Sequence, residues 1–222
     1  MGTDALGRDL FVRVTYAGRF SLVIGICVAL LSSVVGALYG LVAGYAGGAI
    51  DAVLMRFCDL LLSIPSLPLL LVLSKFFGGS PIGIVAVLSA FGWMPIARIV
   101  RGNVLSLRSR EFVEAALVLG VPTRRILLKH VLPNTLAPVI VFATLSASQA
   151  ILAEASLSYL GMGVQPPVPT WGNLLMGAQQ YLLSAPWLAV SPGCLILLTV
   201  LSLNLLGDGL RDALDPRLRG RR

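Results

Sequence analysis

The chain has 222 residues, 57% of them hydrophobic and 12% charged, with a formal net charge of +7 and a mean hydropathy of +0.90. A soluble domain carries roughly twice that share of charged residues, so these values exclude an ordinary soluble domain and indicate a membrane protein. Cys27, Cys58 and Cys194 each stand alone in an apolar segment, which gives neither a disulfide framework nor a zinc site and leaves them as small apolar side chains.

In chain order, residues 1–19 form a polar, amphipathic lead-in. No secretory signal is visible, because the first long apolar run starts near Phe20 and is too long for an h-region. Crossing the hydrocarbon core takes about 20 apolar residues. Phe20–Tyr45, Ala52–Phe76, Ile82–Val104, Asn134–Tyr159 and Trp187–Leu206 meet or nearly meet that length. The fold class is therefore all-α and polytopic, with about five transmembrane helices in residues 20–208, a loop at 105–133 and a basic tail at 209–222. Gly25, Gly36 and Gly40 in the first span allow close helix approach. Pro65 and Pro68 in the second, and Pro95 in the third, imply kinks whose freed carbonyls need other partners. That composition suits a packed bundle around a path.

Basic residues set the orientation. Arg98, Arg101, Arg108, Arg110, Arg124, Arg125 and Lys129 run from the end of the third span through the loop after it, and the tail adds Arg211, Arg217, Arg219, Arg221 and Arg222. The segment Ser158–Pro186 has no Lys or Arg. The positive-inside rule thus puts the loop and tail in the cytoplasm and Ser158–Pro186 outside. It also puts residues 1–19 outside, against Arg8, Arg13 and Arg19; a further span before Met1 would resolve that conflict. Membrane lipid is the expected partner of the basic surface, and nucleic acid is not.

Within the loop, Phe112, Ala115, Ala116 and Leu119 recur at helical spacing. Arg108 and Arg110 stand three and four residues before Glu111 and Glu114, within reach of ion pairs each worth a few tenths of a kcal/mol. Gly120 falls where a left-handed residue ends a helix. Thr123 is placed to cap a second short helix from Arg124, which Pro133-Asn134 closes. Two readings fit such a helix–turn–helix: an amphipathic element resting on lipid headgroups, or a dock for a cytosolic partner.

Polar groups inside the spans are candidates for a translocation path: Asp59, Gln149, Glu154 and Asn204. Arg56 lies three residues from Asp59 and is its expected ion-pair partner. Glu154 falls about 30 Å along its helix from Pro133, near the outer surface, and Gln149 and Asn204 also suit helix bridging. Trp171 and Trp187 read as interfacial anchors. Asp208, Arg211, Asp212 and Asp215 suit a short surface helix. No G-x-x-x-x-G-K-[ST] occurs, and His130 is the sole histidine, so the chain offers no phosphate loop, metal cluster or catalytic triad. No cofactor is expected.

"EAALVLG", followed nine residues after Gly120 by "HVLP", resembles the EAA motif of permease subunits in bacterial ATP-binding cassette importers. Glu114, Ala115, Ala116, Gly120, Leu132 and Pro133 match, and His130 stands where the broad pattern has isoleucine. "GTDALGRDLFVRV", "AEASLSYLGMGVQPPVPTWGNLL" and "LNLLGDGLRDALDPRL" resemble the dipeptide/oligopeptide/nickel branch. Relatives in that branch usually have a further span before the first of these stretches. The resemblance implies an inner-membrane permease subunit that works with a second permease chain, two ATPase subunits and an external solute-binding protein, carrying peptides, nickel or another small solute. It also implies that the loop is a coupling helix, in which Glu111, Glu114, Ala115, Ala116 and Gly120 meet the ATPase. The reading from a different class is a membrane anchor or scaffold whose basic loop binds lipid or a cytosolic protein without transport.

Overall fold

The computed structural model describes residues 2–4 and 6–214, so most of the basic tail, from Asp215 on, lies outside the described residues. The helices are α1 (Leu10–Ala46), α2 (Gly48–Ser63), α3 (Ser66–Phe76), α4 (Pro81–Arg108), α5 (Glu111–Val118), α6 (Thr123–Ile126), α7 (Leu132–Tyr159), α8 (Trp171–Ala178) and α9 (Trp187–Leu214). Four elements are long and apolar enough to cross a membrane, or five if the bent pair α2–α3 counts as one span.

The bundle is built on α1 and α4. Ser32 of α1 lies against Gly92 of α4, Gly36 against Trp93 and Ile96, Gly40 against Ala97 and Arg101, and Gly44 against Val104. Both residue series rise together, so the two helices run parallel. A Cβ on Gly40 would lie 2.4 Å from the Ala97 carbonyl oxygen and 2.9 Å from the Arg101 nitrogen, backbone atoms that cannot step aside. The glycines at four-residue intervals are therefore what allow the backbones to touch. α7 packs antiparallel on α1, with Ile151 against Gly25. α9 packs on α7, with Gly207 against Thr144 and Leu145 and the Ser148 hydroxyl donating to Asn204 Oδ1 at 2.9 Å.

Several boundaries differ from the sequence expectation. α1 begins at Leu10, ten residues before Phe20, with the Asp9 carboxylate accepting from the Val12 N–H at its N-cap. Half of the lead-in is thus the first turns of the span. The second span is broken at Ile64-Pro65 by an 87° bend, since proline carries no N–H and disfavours helix in the residue before it. The short helix after Gly120 starts at Thr123, whose side chain makes no cap. It is not closed at Pro133: a π-helical turn, Leu127–Val131, carries it directly into α7. Asp208, Arg211 and Asp212 belong to the end of α9 and not to a separate helix.

Gly40→Val is expected to destabilise the chain by at least about 2 kcal/mol through overpacking. Gly102→Ala, where an added Cβ meets no atom within 4 Å, is expected to be neutral or slightly stabilising. Thermal unfolding of the two variants in detergent checks both.

Candidate functional site

Two regions carry unusual chemistry: the loop at the end of the bundle where basic residues gather, and a cavity between the spans. In the loop, α5 lies against the bundle by one face. Val113 and Ala116, three apart, are buried in a cluster with Val104, Ile126 and Val131. Glu111, Phe112, Glu114 and Ala115 are exposed, and Val118 and Leu119 are 88% and 81% exposed. The inward stripe is therefore Val113/Ala116, not Phe112/Ala115/Ala116/Leu119. Of the predicted docking residues, Ala116 points into the bundle, while Glu111, Glu114 and Ala115 point away from it. Leu105 and Leu107 precede a break at Ser109-Arg110, so the expected pairs of Arg108 with Glu111 and Arg110 with Glu114 do not form among the described residues; Arg108 instead stacks over the Tyr45 ring at 5.7 Å. Gly120 has φ +72°, with its N–H bonded to the Leu117 carbonyl and the Val121 N–H to the Ala116 carbonyl, both at 3.0 Å. That double bond pattern is a Schellman stop, which needs the left-handed residue.

The cavity, about 480 Å³, is walled by Ser66 and Leu70 of α3, Phe91 and Pro95 of α4, and Ser146 and Gln149 of α7. Pro95 leaves the carbonyl of Phe91 without its helical donor at this wall. Of the four predicted path residues, Gln149 lines this cavity. Asn204 bridges α9 to Ser148. Asp59 pairs with Arg98, not with Arg56, because α2 turns that face toward α4. Glu154 is fully buried within the chain. Its carboxylate accepts from Ser158 Oγ at 2.7 Å and Ser21 Oγ at 3.2 Å, and these hydroxyls accept from the N–H groups of Val164 and Trp171. Glu154 thereby ties α1 and α7 to the segment after α7. Trp171 is likewise buried, its indole N–H donating to the Val14 carbonyl at 3.0 Å, whereas Trp187 is half-exposed.

A second hollow of about 510 Å³ opens at the opposite end, between the N-terminal stretch and residues 166–181. Here Asp4 gathers two of the three arginines that stood against an external lead-in: Arg8 Nε at 2.8 Å and Arg13 Nη1 at 2.5 Å. Burial pushes the Asp4 carboxyl up, but hydrogen bonds from Arg8, Leu6 and Arg13 outweigh it and hold the value at about 2 instead of 3.8. Sequence reading missed Asp51 as well, which accepts from Arg101 Nε and Nη2 at 2.6 and 2.5 Å. A signal was present: Asp51 and Asp59 lie two turns apart, and Arg98 and Arg101 about one turn.

A helical membrane bundle with a helical loop held at one end and a polar-edged cavity between its spans has the build of a transport permease. Residues 36–220 match the family described as the binding-protein-dependent transport system inner membrane component. The oligopeptide transport system permease protein OppC of Haemophilus influenzae is 46% identical over 98% of this chain and 70% of its own length. The dipeptide transport system permease protein DppC of Bacillus subtilis is 43% identical over 98% and 68%, and the glutathione transport system permease protein GsiD of Pectobacterium atrosepticum 41% over 99% and 73%. The chain belongs to the inner membrane component family of binding-protein-dependent transport systems, and it is a permease subunit.

The depressed Asp4 value means that its stabilisation is fully present above the unfolded value of 3.8 and fades as pH falls from there to about 2. Hydrogen-exchange protection at Leu6 and Arg8, whose N–H groups bond Asp4 Oδ1, is expected to hold from neutral pH down to that window. Asp4→Asn is expected to reduce it at neutral pH and to remove its fall through that window.

Proposed function

We propose that this chain and a second permease chain together form the path for di- or oligopeptides in an ATP-driven importer of the bacterial inner membrane. In this reading a solute-binding protein delivers the peptide at the end formed by residues 160–186, and two ATPase subunits dock at the loop end. The peptide assignment rests on relatives named for oligopeptide, dipeptide and glutathione transport. ATP is bound and hydrolysed by the partner chains.

The observation that carries the docking role is the division of α5 into two faces. Val113 and Ala116 anchor it inward, while Val118, Leu119, Glu111 and Glu114 face outward from a rigid base. Exposed apolar side chains flanked by two carboxylates suit a protein groove better than an anionic lipid surface, which repels acidic groups. Glu111, Glu114 and Ala115 meet the ATPase, Gly120 sets the angle between α5 and α6, and Ala116 fixes α5 to the bundle. Closure of the ATPases then rocks the spans as a body between inward- and outward-open arrangements.

The path runs past Gln149 and Asp59. Arg98 lies ten residues from the end of α4, about 15 Å deep, and its pair with Asp59 is nearly half-exposed. An ion pair at that depth avoids hydrocarbon by facing water or a partner subunit, which favours the path side for this face of α2 and α4.

Glu114→Arg and Gly120→Leu are expected to lower ATP-driven peptide uptake at least about tenfold, a loss of about 1.4 kcal/mol of coupling, in chain that still inserts and folds. Affinity capture of ATPase subunits by detergent-solubilised wild type but not by the variants checks the dock. Wild-type uptake by folded Gly120→Leu would overturn it.

A further inference from the structure

The arm formed by α2 and α3 is joined to the rest of the chain by little apolar packing. Along α2 only Asp51 and Cys58 are buried, and along α3 only Leu70 and Ser74. Even so, α3 supplies Ser66 and Leu70 to the cavity wall. Cys58 packs with Trp93 and Ala97, Met55 and Leu61 lie partly buried against the same cluster, and the Tyr39 hydroxyl donates to the Leu54 carbonyl; the remaining links from α2 to α4 are charged. Asp51 takes both arms of the Arg101 guanidinium, and Asp59 pairs with Arg98. The two aspartates share one face of α2, and the two arginines share one face of α4.

A bidentate pair fixes orientation as well as distance. Separating the Asp51–Arg101 pair, whose carboxylate is buried, leaves uncompensated charge, which favours joint movement of the two helices at that point. α4 is also the element directly joined to the loop, since it ends at Arg108 and α5 begins at Glu111. Beyond the aspartates, the 87° break at Ile64-Pro65 turns any tilt of α2 into a lateral swing of α3.

We propose that Arg98 and Arg101 are positioning residues for transport, which pass a displacement of the docking loop along α4 through Asp59 and Asp51 to the α3 wall of the cavity. The proposal rests on the docking role given above. It assigns a joint task to two ion pairs, one of them made by Asp51 and Arg101, which no docking or cavity-lining role uses, and it explains why a helix with so little buried surface carries both.

The test uses the assembled importer in lipid nanodiscs, with spin-label pairs read by electron–electron double resonance before and after ATP with vanadate. One pair reports the loop, from Thr123→Cys to Gly102→Cys; the other reports the cavity wall, from Leu67→Cys to Gln149→Cys. In wild type both distances are expected to shift. In Asp51→Asn, and in the more exposed and better tolerated Asp59→Asn, the fraction showing the α3 shift is expected to fall at least about fivefold while the loop still responds. The reciprocal Asp51→Arg/Arg101→Asp chain is expected to recover the shift to within about twofold of wild type. An undiminished α3 shift in both Asn variants overturns the proposal. Loss in both without recovery in the reciprocal chain also overturns it, because packing and not charge would then carry the motion. A wild-type loop that does not respond to nucleotide overturns the docking reading itself, and this inference with it.

Discussion

Everything else in the bundle depends on the backbone contact between α1 and α4. In lipid there is no hydrophobic gain from bringing two apolar helices together, so association has to come from dispersion and close fit. Gly36, Gly40 and Gly44 on α1 and Gly92 on α4 let the two backbones meet along much of the bilayer depth. Once that pair is set parallel, its free sides are defined. α7 closes one side through Ile151 on Gly25, and the Tyr39 and Trp93 rings, 4.6 Å apart, make the other side the seat for α2. α9, packed mainly on α7 and α8 with a smaller contact to α1, stays largely open on its outer face.

The loop shows how a small helix is made rigid while keeping an adhesive surface. Two buried side chains, Val113 and Ala116, join the cluster at the end of α4 and α7. The Gly120 stop satisfies the last carbonyls of α5, so the chain can reverse into α6 without loose backbone. The π-helical turn at Leu127–Val131 then connects the loop to α7 without an interruption. The loop is thus mechanically continuous with two spans, α4 before it and α7 after it, which is the requirement for passing force into the membrane.

The buried and intramembrane carboxylates are satisfied in two different ways. Asp51 and Asp59 meet guanidinium groups. Glu154 meets only hydroxyls, each of which also accepts a backbone N–H from the segment that follows α7. The first arrangement joins α2 to α4, and the second ties α1, α7 and the start of α8 into one block. Asp4 repeats the first solution in the N-terminal stretch, where one carboxylate is shared between Arg8 and Arg13.

Composition, apolar run length and the placement of Lys and Arg determined by themselves that the chain is a polytopic helical membrane protein, that one long loop is helical and that Gly120 ends its first helix. These follow from local chemistry: transfer of apolar segments to lipid, helical periodicity, and the steric freedom of glycine at positive φ. What only the tertiary structure decided was which groups meet. Asp59 chooses Arg98 over the nearer Arg56 because α2 presents that face to α4. Ala116 turns inward while its neighbour Ala115 does not, because Val113 and not Phe112 meets the bundle. Glu154 is enclosed and bonded by hydroxyls, because the chain after α7 folds back over it. In each case sequence spacing offered several partners of equal reach, and the choice depended on the rotation of one helix against another, which packing sets and spacing does not contain.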